Sequence, residues 1–211
     1  MRCSSYKISV ITSFIISLFA LLSVPFIQAP SGAEEVDKSG EIKGDNTLEA
    51  LIRVANERQE DWHVRVKALD ALAASGSPMV TDTLMDAAFN ACPAIKWHAV
   101  VGLGNYGSDA RVVDVLISAL DDPTMFIREA AIESLGKIRA GKALHYIDSA
   151  LRDSHFAIRL KAVAALKNIG GKEALLSLER AADKEVDPFI KNEAAAAARR
   201  LAVRQGTDLR L

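Results

Sequence analysis

Cysteine is scarce in this sequence. The 211 residues hold two, Cys3 and Cys92, too few for a disulfide framework and at no metal-binding spacing. Aromatic side chains are sparse as well, at 6% of the chain, while alanine is plentiful, which favours close-packed helices over a sheet-built core. Neither sign of charge is in excess: 26 basic residues face 27 acidic ones, a formal net of −1, so no basic field advertises a nucleic-acid partner. A disordered tail and a collagen-like fibre are excluded too, because 50% hydrophobic and 25% charged residues suit one compact domain or a short array.

One long stretch lacks charge altogether. After a short basic lead containing Arg2 and Lys7, no charged residue occurs from residue 8 to residue 33. Pro25 breaks this run, and Ser31 and Ala33 supply small side chains at −3 and −1 of a cut after residue 33, the pattern of a secretory signal peptide. Ala29 is a poorer cut site, since Pro30 follows it and Phe26 occupies −3. The alternative is an uncleaved membrane anchor, because residues 8–27 form a 20-residue run, about the minimum span of a bilayer core. Five Ser/Thr residues and a proline within the run count against that alternative. Both readings place the rest of the chain outside the cytoplasm, in the periplasm or beyond. Cleavage removes Cys3, Arg2 and Lys7, leaving Cys92 alone and 24 basic against 27 acidic residues, a net of −3. Residues 34–46, polar and glycine-containing, read as a flexible lead-in, and residues 206–211 as a tail.

Between these ends the chain repeats itself. An aliphatic residue followed by a basic one recurs at Val64-Arg65, Ile95-Lys96, Ile127-Arg128, Ile158-Arg159 and Ile190-Lys191, at spacings of 31, 32, 31 and 32. Four positions beyond each aliphatic anchor stands alanine: Ala68, Ala99, Ala131, Ala162, Ala194. Apolar residues also stand five and eight positions beyond, so each unit carries one stripe of an α-helix, termed helix A. A second stripe, helix B, follows the first four anchors. Its central column is Leu84, Leu116, Ile147, Leu178, with Ala87, Ala119, Ala150 and Ala181 three residues on. Breakers such as Gly170-Gly171 separate the stripes. Residues 47–57 supply a helix B before the first unit, and the last unit has helix A only. The expectation is ten helices over residues 47–205: four full helix pairs flanked by two halves, stabilised mainly by neighbour interfaces.

These residues resemble the short, bacterial, PBS-lyase-like type of HEAT repeat, whose pattern Asp122-Pro-Thr-Met-Phe-Ile-Arg-Glu-Ala-Ala-Ile-Glu-Ser-Leu-Gly136 follows closely, as do residues 153–166. The resemblance implies an all-α, right-handed α-α superhelix of the HEAT/armadillo kind. It also implies protein binding as the usual function, with enzymes or lyase subunits as a minority. A further implication is a ladder between the basic column Arg65, Lys96, Arg128, Arg159, Lys191 and the acceptors five residues before each anchor, Gln59, Asn90, Asp122, Asp153 and Glu185.

Other features invite chemistry and have duller readings. Gly102-Leu-Gly104-Asn-Tyr-Gly107 spells the dinucleotide fingerprint GxGxxG, yet it falls where other repeats end helix A, without the required preceding strand. HEAT-like deoxyhypusine hydroxylases bind iron through His-Glu pairs, whereas His63, His98, His145 and His155 are followed by Val, Ala, Tyr and Phe and occupy different repeat slots. No nucleophile–base pairing stands at recognisable spacing, so no catalytic residue, cofactor or metal is expected; a lyase-like or metal-dependent hydroxylase-like subunit is the alternative. Trp62 shares its slot with Pro93, Met125, Phe156 and Pro188, read as a staple closing each helix A entrance.

In arrays of this kind helix B lines the inner, concave surface. Relative to the central B column, the outward slots hold Asp82, Met85, Asp86; Asp114, Ile117, Ser118; His145, Asp148, Ser149; and Leu176, Glu179, Arg180. Acids and apolar residues predominate among them, which points to a basic or amphipathic protein partner. Trp97, in a slot of mixed character on helix A, is a further interaction candidate.

Overall fold

Residues 44–206 are described in the computed structural model of the protein. The expected signal or anchor at residues 1–33, most of the lead-in at 34–46 and nearly all of the tail at 206–211 lie outside the described residues. Among the described residues there are ten α-helices and no strand: α1 (Gly44–Asn56), α2 (Trp62–Ala74), α3 (Thr81–Ala88), α4 (Pro93–Leu103), α5 (Ala110–Ser118), α6 (Met125–Lys137), α7 (Leu144–Ala150), α8 (Phe156–Ile169), α9 (Gly171–Lys184) and α10 (Pro188–Gln205). Even-numbered helices are the A helices of the sequence pattern and odd-numbered ones the B helices. Short 3₁₀ turns, Pro78–Val80 and Gly141–Ala143, lead into α3 and α7. Helix α1 starts at Gly44, earlier than the expected residue 47, and so takes in the end of the segment read as a lead-in. At the other end Gly206 adopts the left-handed conformation, φ 65°, and stops α10.

Each A helix packs on the A helices before and after it, and each B helix packs on the A helix that follows, giving two layers with one continuous core. The alanine column Ala68, Ala99, Ala131, Ala162, Ala194 is buried throughout. In the B layer Ala87 and Ala119 are buried but Ala150 and Ala181 only half-buried. Small residues set the closeness of the A layer. A Cβ on Gly136 would lie 2.8 Å from Ala165 Cα, so α6 and α8 touch through backbone. One on Gly102 would lie 2.8 Å from Ala73 Cβ, which makes the GxGxxG string a packing feature at the end of α4. Polar groups bridge the same layer where they can be satisfied: Ser134 Oγ donates to Val100 O at 3.0 Å and Tyr106 Oη to Leu72 O at 3.0 Å.

The loops that enter the A helices carry the expected ladder in its middle three rungs. Asp122 accepts the Thr124 N–H at 2.8 Å and Asp153 the His155 N–H at 2.8 Å, turns that direct the chain into α6 and α8. Their other carboxylate oxygens meet bases from the preceding unit: Lys96 Nζ lies 2.6 Å from Asp122 Oδ2 and Arg128 Nη2 3.5 Å from Asp153 Oδ2. Arg159 and Glu185 repeat the contact at 3.5 Å. Burial by itself would raise the Asp122 carboxyl, but hydrogen bonds from Lys96 and the Thr124 N–H outweigh it and hold its pKa below the ordinary value. The end rungs differ. Arg65 turns back to donate to Ala55 O at 2.9 Å, and Lys191 donates to Asp183 O at 3.2 Å.

The staple expected at the A-helix entrances is not formed. Trp62, Pro93, Phe156 and Pro188 are exposed and Met125 is half-buried. Each is the first residue of its helix, and helical side chains lean toward the N-terminus. The column therefore points out past the loop edge, except at Met125, which packs against the core.

Candidate protein-binding face

Eight of the twelve outward slots expected on the B helices are exposed, but their electrostatics differ from expectation. Asp82, Asp114 and Asp148, read as a bare acidic stripe, each meet a base from the next unit. Asp82 Oδ1 lies 2.9 Å from Arg111 Nη1, Asp114 pairs with Lys142, and Asp148 Oδ1 lies 2.8 Å from Arg180 Nη2. Asp148 also meets Arg152 at 3.5 Å and is 16% exposed, against 72% for Asp82 and 58% for Asp114. Arg111 is shared between Asp109, whose hydrogen bond is the main cause of its raised pKa, and Asp82. The stripe is thus a second charge ladder and close to neutral. The sequence held the signal for it, an acid followed 28 to 32 residues later by a base, yet the reading of single slots passed over Arg111 and Lys142.

The remaining candidates divide by position. Met85 and Ile117 are half-buried against the core, and Ser118 turns its hydroxyl onto Val115 O at 2.7 Å within its own helix. Asp86 is exposed and makes no ion pair among the described residues. Farther along, α7 and α9 line an open groove of about 1130 Å³. Leu144, His145, Asp148, Leu176, Glu179 and Arg180 line it, so the structure brings His145, Asp148 and Glu179 together there. Leu176 is 50% exposed at the groove, unusual for a leucine in a helix whose neighbours Leu175 and Leu178 are buried. Lys142, Glu173 and Asp183 complete the charged rim and were not anticipated. Trp97 lies in the other layer, 38% exposed, with its ring edge-on to His98 at 4.8 Å.

His98 Nδ1 is 2.7 Å from Asp70 Oδ1 and His155 Nδ1 2.9 Å from Asp153 Oδ1, each at a different junction. Among the described residues no three His, Cys, Asp or Glu side chains converge to hold a metal ion, and no helix is long and apolar enough to cross a membrane.

The HEAT-repeat family matches residues 81–146 and 113–199, together more than half of the chain. The chain belongs to the HEAT-repeat family. Solved HEAT-like structures agree in fold. The complex of CpcE and CpcF of phycocyanin lyase from Nostoc sp. PCC7120 is similar at 20% identity and a TM-score of 0.63, over 86% of this chain and 71% of that one. An engineered protein is similar at 19% identity and a TM-score of 0.56, covering 76% and 85%. A designed armadillo repeat protein in complex with the peptide (KR)4 is similar at 19% identity and 0.50, covering 73% and 81%. At such identities the likeness is one of fold, an all-α HEAT/armadillo solenoid. No curated protein matches the chain in sequence.

Proposed function

We propose that this HEAT-repeat protein is an exported, noncatalytic scaffold that binds a protein partner along its B-helix face, seated chiefly in the groove over α7 and α9. The observation that carries the reading is the groove itself, with half-exposed Leu176 in its lining and both signs of charge on its rim. An amphipathic segment suits it better than a purely basic one. Apolar side chains cover Leu176 while the segment's polar face meets Lys142, Glu173, Glu179 and Asp183. Because Asp82, Asp114 and Asp148 are paired, a basic partner gains little from them without displacing Arg111, Lys142 and Arg180. The (KR)4 peptide held by the designed armadillo protein supports peptide binding by arrays of this architecture and supports no particular partner here. Export rests on the uncharged run of residues 8–33 and the small residues at 31 and 33.

Three experiments test the reading. Affinity capture from the native envelope fraction, repeated with Leu176→Glu, should lose the partner in the variant while helical content stays unchanged; retention with unaltered affinity removes the groove as the site. Metal analysis and intact mass of the exported protein address the rest. Stoichiometric iron would overturn the noncatalytic reading in favour of a hydroxylase-like subunit, and a cytoplasmic full-length product would overturn export.

A further inference from the structure

Charge is sorted between the two loop edges of the array. The ends of α6, α8 and α10, with the turns after them (residues 137–142, 167–173 and 199–206), hold eight Lys or Arg and one acid, Glu173. The loops at the opposite edge (residues 57–61, 90–92, 121–124, 152–155 and 183–187) hold nine acids and three bases, or six with the ladder bases Lys96, Arg128 and Arg159. A formal net of −1 conceals this division. The basic edge is largely uncompensated: among the described residues only Lys142 of the eight makes an ion pair, with Asp114. Seven of the eight are exposed and Lys167 is half-buried. Contacts between units hold the edge together. Lys137 donates to Asn105, its own slot one unit earlier, while Arg204 donates to Lys167 O at 3.4 Å and Arg200 lines one hollow with Lys167.

One of these bases sits in a strained turn. Gly76 and Gly170, each twelve residues after its anchor, take positive φ, 68° and 75°, where the chain leaves helix A. In the third unit the same slot holds Arg139 at φ 53°. A left-handed cap closes α6 there, with the Ala140 N–H donating to Leu135 O at 3.0 Å. Glycine adopts that backbone without strain and arginine does not. Arg139 is the one non-glycine residue of positive φ among the described residues, and it is exposed and makes no ion pair among them. Neither packing nor pairing accounts for an arginine at this position. Val203 is the second misfit, 81% exposed on the turn of α10 that carries Arg199, Arg200 and Arg204.

We propose that this edge docks on the headgroups of an anionic lipid bilayer. Its bases belong to three successive units about 10 Å apart, so they span about 20 Å, too far for one phosphate group to bridge. They stand on helix ends and turns of a single edge, which can meet a plane together. A bilayer presents such a plane of negative charge and attracts each Lys or Arg that comes within a Debye length. Val203 argues for lipid over a soluble polyanion, because an apolar side chain among bases is buried at the boundary of headgroups and acyl chains. The acidic opposite edge is repelled and faces away, which fixes the orientation.

Flotation of the natively processed protein with vesicles tests this. Binding is expected to phosphatidylglycerol mixed with phosphatidylcholine, weakening as salt rises, and not to phosphatidylcholine alone. Arg139→Glu/Lys172→Glu/Arg200→Glu should lower partition about a hundredfold or more with helical content unchanged. The same change of charge at the opposite edge, Arg58→Glu/Arg152→Glu/Lys184→Glu, should leave most of the binding in place. Arg139→Gly should raise the melting temperature and weaken vesicle binding, two effects of opposite sign from one relaxed turn. Equal binding to phosphatidylcholine alone overturns the proposal, since it signifies insertion of an apolar segment. So does an equal loss in the opposite-edge variant, which signifies net charge only. Displacement by inorganic phosphate at an ionic strength where sodium chloride has no effect also overturns it, in favour of a site for the free ion. None of the substituted residues lines the groove over α7 and α9, so the partner reading and the lipid contact stand or fall separately.

Discussion

The two layers share one repeat period but are joined in different ways. In the A layer neighbouring helices meet through backbone and methyl groups, as at Gly136 and Ala165, with hydrogen bonds from Ser134 and Tyr106 threaded between them. The B layer relies at its outer surface on ion pairs between exposed side chains, Asp82–Arg111 and Asp114–Lys142, and at α7/α9 it opens into a groove. Dispersion and desolvation favour the first kind of contact and solvent screens the second, so most junction stability should reside in the A layer. The B layer is left free to carry recognition.

Substitutions should rank accordingly. Gly136→Leu forces a branched side chain against the backbone of α8 and should cost about 3 kcal/mol, the largest effect here; a denaturation midpoint within error of the parent would refute close A-layer contact. Ala131→Leu and Ala162→Leu, at fully buried crossings, should each cost about 1–3 kcal/mol by the same measurement. Asp122→Ala removes a half-buried ion pair and a loop hydrogen bond together, about 1–2 kcal/mol. Its pH dependence has a definite sign. Because the folded carboxyl is held below the ordinary value, its contribution is complete above about pH 4 and fades as pH falls through the lower folded value. The stability difference between parent and variant should therefore narrow on acidification. Tyr106→Phe leaves the ring in place and drops one hydrogen bond, about 1 kcal/mol in chemical denaturation. Asp114→Ala should be smallest, below about 0.5 kcal/mol, since both partners are exposed. A cost equal to that of Asp122→Ala would erase the distinction between the layers.

Much of this was legible beforehand. The anchor, alanine and leucine columns predicted ten helices, their order and which face of each is buried, because periodicity records burial directly. The loop ladder at Asp122, Asp153 and Glu185 was legible through the resemblance to HEAT repeats, which implied it. The charge state of the B face was not. Asp82 and Arg111 occupy different slots on different helices, so their meeting depends on how far successive units rotate, which no single column encodes. The Trp62 column was misread because recurrence of bulky residues was taken as burial, whereas the first position of each helix directs them outward.

The close A layer also governs how the array deforms. Helices in backbone contact, as α6 and α8 are at Gly136, cannot move nearer, and separating them exposes buried side chains, so the A layer behaves as a nearly inextensible spine. Exposed ion pairs tolerate changes in separation at little cost, which makes the B layer the compliant side. Bending strain should thus concentrate there, with the spine close to the neutral line. The array can widen or narrow its B face in small increments at each junction while every hydrophobic column stays intact, a leaf spring that flexes on one side only.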